Sequence, residues 1–175
     1  MLSDDPFLRY TVNAFYHFTD IRNVPLIIES GGLLSMIELR KRGIKVPAPG
    51  GNEWSQEADG KAGLDHYVHL CFHRNHPMEF VAREEKRIEQ SIFLEIHRDI
   101  LLVEGVRYSP GVSNKAGMSL HTLEEARGLI DFEVLYTRTD WHVPEIQSRL
   151  QSAQKAELLV PKHIPLRYIM NFPNG

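Results

Sequence analysis

Residues 14–19 form an aromatic-rich run, Ala-Phe-Tyr-His-Phe-Thr, that stops at Thr19-Asp20, two good helix N-caps, and so predicts a first strand running into a helix. Ile21, Val24, Ile27 and Ile28 then recur at helical spacing until Gly31-Gly32 ends the helix, and Pro25 falls in its first turns, where a missing N–H is tolerated. A second short helix is predicted around 36–40. From Val46 to Lys61 the chain carries Pro, Gly and polar residues without a period, which predicts a long loop of the kind used as a lid or binding surface. Further strands are expected over 67–73, 91–97 and 130–136, with a helix over 77–87 between the first two. Thr122-Leu-Glu-Glu-Ala-Arg reads as a capped short helix before Gly128. A polar helix over 143–155 feeds a strand over 156–161, and a last strand is expected over 166–170. Strands and helices mix without regular β-α alternation, so the fold class expected is α+β.

Composition narrows this picture. At 175 residues, 42% of them hydrophobic and 25% charged, the chain suits one globular domain spanning 1–175. No apolar run approaches the roughly 20 residues that span a bilayer, and MLSDDPFLRY opens with acids instead of a basic and then hydrophobic leader, so a cytoplasmic protein is expected. Cys71 is the single cysteine, which excludes an internal disulfide framework or a Cys-based zinc site; inside Tyr-Val-His-Leu-Cys-Phe it reads as a buried small hydrophobe. A net charge of −3 means that any contact with nucleic acid must be local. The dense cation cluster is Arg40, Lys41, Arg42 and Lys45, read either as a solvated helix end or as a phosphate track. Trp54, in the long loop, is either pinned back onto the core or offered to a ligand.

Glu157 stands out on chemistry. It shares a strand face with Leu159 while Ala156, Leu158 and Val160 point the other way, so it either lies in water on an edge strand or is buried and needs a partner. His17, in the middle of the aromatic strand, is either a satisfied core histidine or a functional one. His69, His73 and His76 cluster, but Pro77 and the expected strand-to-helix transition put His73-x-x-His76 in a loop, not on the single helix face of a metal pair. HExxH, GxGxxG, P-loop and GxSxG motifs are all missing, leaving zinc proteases, Rossmann enzymes, NTPases and α/β-hydrolases without support.

Four blocks in order resemble the DarT family of DNA ADP-ribosyltransferases, toxins paired with a macrodomain antitoxin. They are Tyr16-His-Phe-Thr-Asp-Ile-Arg-Asn-Val-Pro25, Ile28-Glu-Ser-Gly-Gly-Leu-Leu34, Leu64-Asp-His-Tyr-Val-His-Leu-Cys-Phe72 with His76-Pro-Met78, and Ala156-Glu-Leu-Leu-Val-Pro161. The resemblance implies a single-domain ADP-ribosyltransferase-like fold with a split β core and peripheral helices, NAD⁺ as co-substrate, and no metal. It implies transfer of ADP-ribose to a base of single-stranded DNA, thymine first, with RNA or protein as alternative acceptors. Glu157 would be the catalytic glutamate and His17 would fix the ribose, with Phe18, Thr19, Asn23, Gly32, Leu33, Tyr67 and Phe72 around the NAD⁺. Arg40, Arg42, Lys45, Asn52, Trp54 and His73 would face the nucleic acid. His73, Arg42 or His69 could assist loss of the acceptor proton. Where thymine-modifying members use an arginine, in the loop before the third block, this chain has Asn52-Glu53-Trp54-Ser55. A non-catalytic binding module is the competing reading; it would need neither Glu157 nor His17.

Overall fold

The computed structural model describes residues 5–51 and 53–173, and only the backbone of Glu53, Trp54 and Ser55. In chain order the strands are β1 (Ala14–Asp20), β2 (Gly32–Leu34), β3 (Tyr67–Cys71), β4 (Ser91–His97), β5 (Arg107–Ser109), β6 (Glu157–Pro161) and β7 (His163–Pro165). The helices are α1 (Pro6–Arg9), α2 (Val24–Glu29), α3 (Met36–Lys41), α4 (Glu53–Ala62), α5 (Pro77–Glu84), α6 (Leu123–Ala126), α7 (Phe132–Tyr136) and α8 (Pro144–Ala153).

Five strands form one antiparallel sheet in the order β4-β1-β3-β6-β5, and β2 pairs with β7 in a second. The first sheet is split. β1 pairs with β4 along its whole length, from Ala14 opposite His97 to Asp20 opposite Ser91. β3 and β6 are likewise zipped from Tyr67 opposite Pro161 to Cys71 opposite Glu157. Between these two halves the ladder holds only Tyr16 opposite Cys71. Beyond that point β1 and β3 diverge, leaving a wedge between residues 17–19 and 67–69.

The core lies on the other face. Phe7 of α1 stands at its centre, edge-on to Phe15 and Phe132 at 5.3 Å and stacked on Phe72 at 6.1 Å. All four rings are buried, and each contributes roughly 1.5–3 kcal/mol by leaving water. Local capping fixes the helices around this core. Ser35 caps α3, His76 caps α5, Thr122 and Glu125 form a reciprocal capping box on α6, and Asp131 caps α7. Asp20, at the end of β1, is fully buried and accepts hydrogen bonds from Arg22 N, Nε and Nη2 and from the Glu89 and Gln90 amides. The Arg22 guanidinium and these amides hold its carboxyl well below the usual carboxylate range.

Three expectations fail. The expected loop over 46–61 ends in helix α4: its Glu, Gln, Ala and Lys residues are good helix formers, and Glu57 and Lys61 pair at i, i+4, though no apolar period announces them. The apolar run expected as a strand over 130–136 is helix α7, because Asp131 accepts from Val134 N at 3.0 Å and starts a helical turn. The expected last strand is a 3₁₀ turn, Leu166–Tyr168, followed by one bridge from Ile169 to Ile96. β2, β5 and β7 were not expected; three residues each are too few to show a period. Among the described residues no helix is long and apolar enough to cross a membrane.

Candidate active site

β6 is an inner strand between β3 and β5, so Glu157 at its start is not in water: it is only 6% exposed. A carboxylate in that position must be paired to stay charged. Its Oε2 accepts from Ser113 Oγ at 2.5 Å and from Ser113 N at 3.1 Å, and lies 3.4 Å from His69 Nδ1. His69 belongs to β3, and the zipped β3–β6 register brings it to the same sheet face. Burial alone would discharge both groups, but their mutual attraction outweighs it: the His69 pKa is pushed up to about 9 and that of Glu157 is lowered. The pair is therefore charged at neutral pH. Among the described residues Glu157 Oε1 has no hydrogen bond, with His76 Nε2 beside it at 3.8 Å, and so is the oxygen left for a ligand.

His17 owes its place to the split. Where β1 peels away, the His69 carbonyl oxygen lacks a ladder partner on that side, and His17 Nδ1 takes it at 3.1 Å. A carbonyl only accepts, so Nδ1 carries the proton. Burial lowers the His17 pKa, leaving the ring neutral with Nε2 as a bare acceptor. His76, 2% exposed, was not singled out from the sequence for this site. Its Nδ1 accepts from Met78 N at 3.2 Å, which leaves the Nε2 proton toward Glu157. Burial keeps it neutral also. Its sequence signals, the histidine cluster and the His76-Pro-Met78 stretch, did not point to a place beside Glu157.

The wedge opens into a cleft of about 270 Å³. His17, Phe18, Thr19, Asn23, Gly32, Leu33, Tyr67 and Glu157 all line it, so these residues, spread over 140 positions of sequence, meet in one place. Asn23 lines the cleft with its amide already spent: it donates to Thr19 Oγ1 and Ala48 O and accepts from Ala48 N, tying the rim segment to β1. Gly32 has φ of +140°, and a Cβ there would collide with the Ile164 carbonyl on β7. Phe72 does not line the cleft. Alternation along β3 sends 67, 69 and 71 to the cleft and 68, 70 and 72 to the core, where Phe72 packs against Phe7 and Phe132. His73 also lies elsewhere, stacked on Tyr136 at 5.3 Å.

The cation cluster sits at the C-terminal end of α3, outside the cleft lining. Arg40 pairs with Asp65 at 2.8 Å and Lys41 with Glu38 at 3.2 Å, while Arg42 and Lys45 are exposed. Among the described residues no Arg or Lys lines the cleft. Asn52 and the Trp54 side chain lie outside the described residues. The neighbouring segment nevertheless forms the cleft rim through Val46, Pro49, Gly50, Gly51, Gln56 and Asp59, the last two on α4.

The split antiparallel sheet with Glu157 buried at the base of an apolar cleft is a mixed α and β fold similar to that of DarT ADP-ribosyltransferases. Within that class the chain belongs to the DarT family, described as "ssDNA thymidine ADP-ribosyltransferase, DarT", whose pattern matches residues 16–172. The structure is similar to Thermosipho africanus DarTG in complex with ADP-ribose, with a TM-score of 0.67 and 19% identity over 89% of this chain and 42% of that one. It is similar to Thermus sp. 2.9 DarT in complex with ADP-ribosylated ssDNA, at TM-score 0.66 and 19% identity, covering 89% of this chain and 78% of that one. The same Thermus DarT in complex with NAD⁺ aligns at TM-score 0.58 and 19% identity, over 97% of this chain and 81% of that one. This chain thus spans less than half of the Thermosipho protein. No curated protein matches it by sequence at a significant level.

Proposed function

We propose that this protein cleaves NAD⁺ at its nicotinamide–ribose bond and transfers ADP-ribose to a base of single-stranded DNA, thymine in the first place. The observation that carries the reading is Glu157: a buried carboxylate, kept ionised by His69 and Ser113, with one oxygen open to the cleft of a DarT-family chain. When the C1′–nitrogen bond breaks, its electron pair leaves with nicotinamide and discharges the pyridinium, and positive charge develops on the ribose. A fixed carboxylate in a largely apolar cleft stabilises that charge with little reorganisation. The bare Nε2 of His17 suits a ribose hydroxyl donor, which fixes the sugar. Tyr67 and Phe18 offer flat surface for the nicotinamide ring. The acceptor nitrogen then bonds to C1′ and gives up one proton. Arg42 and Lys45, exposed beside the rim, would hold DNA phosphates. A macrodomain antitoxin as partner, a toxin's role and a cytoplasmic location accord with the family and belong to the same reading.

Purified protein, NAD⁺ and short oligonucleotides test it by mass spectrometry. Thymine-containing single-stranded DNA should gain one ADP-ribose unit, and the same DNA without thymine should not. A mass gain on RNA or on the protein alone would replace the acceptor, and no gain anywhere would remove the activity.

A further inference from the structure

Transfer to a ring nitrogen requires something to take its proton, and the cleft wall limits the choice. His69 is already protonated and holds Glu157. His73 stacks on Tyr136 away from the cleft, and no Arg or Lys lines it among the described residues. The Cys71 thiol is buried, and that burial keeps it protonated. Asp59, on α4, lines the cleft together with Glu157, and its Oδ1 is shielded from water without a hydrogen-bond partner. Asn114 also lines the cleft and favours the charged form of Asp59, and its neighbour Ser113 holds Glu157, so adjacent residues stand beside the two carboxylates.

From this geometry we propose that Asp59 is the base that accepts the proton of the acceptor ring nitrogen. The inference rests on the reading of the cleft as an ADP-ribosyltransferase site. As C1′ parts from nicotinamide, the nitrogen's electron pair forms the new bond to C1′ and its proton passes to an Asp59 oxygen, from which it returns to solvent. The terminal torsion of aspartate is broad and two-fold, so either oxygen can turn to the acceptor. The charged and polar groups facing Asp59 are His69 on β3, Glu157 on β6, Asp65 in the Leu64–His66 turn and Asn114. Burial and the two carboxylates raise its pKa, while His69 and Asn114 oppose them; a carboxylate made more basic suits proton removal.

The test varies the acidity of the acceptor. Asp59→Asn should slow transfer to thymine DNA by about 10²-fold or more, and the deficit should shrink roughly tenfold with 5-fluorouracil in place of thymine, because fluorine makes the ring N–H a stronger acid and a base less necessary. Asn114→Ala keeps the carboxylate but removes a polar neighbour that favours its charged form, so the acid limb of the thymine pH–rate profile should move to higher pH. Equal deficits on the two acceptors, near-native rates in Asp59→Asn, or an unmoved acid limb in Asn114→Ala would each overturn the assignment. Failure of the unaltered protein to modify either oligonucleotide would instead overturn the functional reading, and this inference with it.

Discussion

Replacing the His69 imidazole takes away the cation that keeps Glu157 charged, so the pair can be read by pH. His69 has its pKa raised from 6.5 to about 9, and the stability it contributes is complete below about 6.5 and is lost as pH rises through about 9. Glu157 is lowered from 4.5, so its share is present above about 4.5 and is lost as pH falls through its folded value. The ion pair therefore stabilises the fold between about 4.5 and about 9. In His69→Ala, urea midpoints should fall by the equivalent of roughly 2 kcal/mol at pH 7, less than the ~3–5 of fully buried pairs because His69 is 27% exposed, and the alkaline decline should vanish. An unchanged alkaline limb would mean another group titrates there. His17 makes a separate prediction: in His17→Ala, calorimetric titration should show weaker NAD⁺ binding in a folded protein, and unchanged affinity would make it a core histidine after all. The residues themselves marked Glu157 and His17 as anomalies, a Glu amid apolar neighbours and a His in an aromatic run, but left each open between a bland and a functional place; the resemblance to the DarT blocks singled them out. The partners were not legible: Ser113 and His76 lie 44 and 81 positions from Glu157, and only the strand register and the loop over 112–114 bring them near.

At the scale of elements, two local features fix the strands around the cleft. Gly32 lets β2 press against β7, and Gly32→Ala would need both a backbone conformation open to glycine alone and displacement of the Ile164 carbonyl. It should cost at least about 2–3 kcal/mol and weaken NAD⁺ binding, which thermal unfolding and calorimetry would register together. Asp20→Asn should cost about 2–3 kcal/mol by weakening five charge-assisted bonds that pin the end of β1 to Arg22 and to the Glu89–Gln90 turn. A loss below about 0.5 kcal/mol, the size expected of surface changes, would contradict the anchoring role. Long periodic segments such as β1, β4 and α5 could be read from alternation and caps. The split between β1 and β3 could not, because divergence of two strands is set by what packs beneath them and leaves no mark in either strand's own pattern. Phe72 shows the opposite case: the resemblance put it around the NAD⁺ with Tyr67, although an odd offset between the two points them to opposite sheet faces.

For the whole molecule, a net charge of −3 leaves DNA attraction to a few cations. Because Arg40 is held by Asp65, the contribution should come from Arg42 and Lys45, and replacing both by Ala should weaken oligonucleotide binding for all sequences while flattening its salt dependence by a slope of about 1–2. Unchanged affinity and slope would return the cluster to a solvated helix end. The α+β class was legible from mixed strands and helices. The split sheet and the placement of α4 over the cleft rim depend on tertiary packing that no local pattern carries.

The central claim is that Glu157 acts on charge that exists mainly in the transition state, and one comparison reaches it directly. Glu157→Gln and the unaltered protein are assayed side by side for NAD⁺ affinity and for the rate of ADP-ribose transfer to thymine DNA. The account predicts that transfer falls by about 10²-fold or more while NAD⁺ affinity changes by no more than a few-fold. Near-native transfer by a folded Glu157→Gln protein would contradict it.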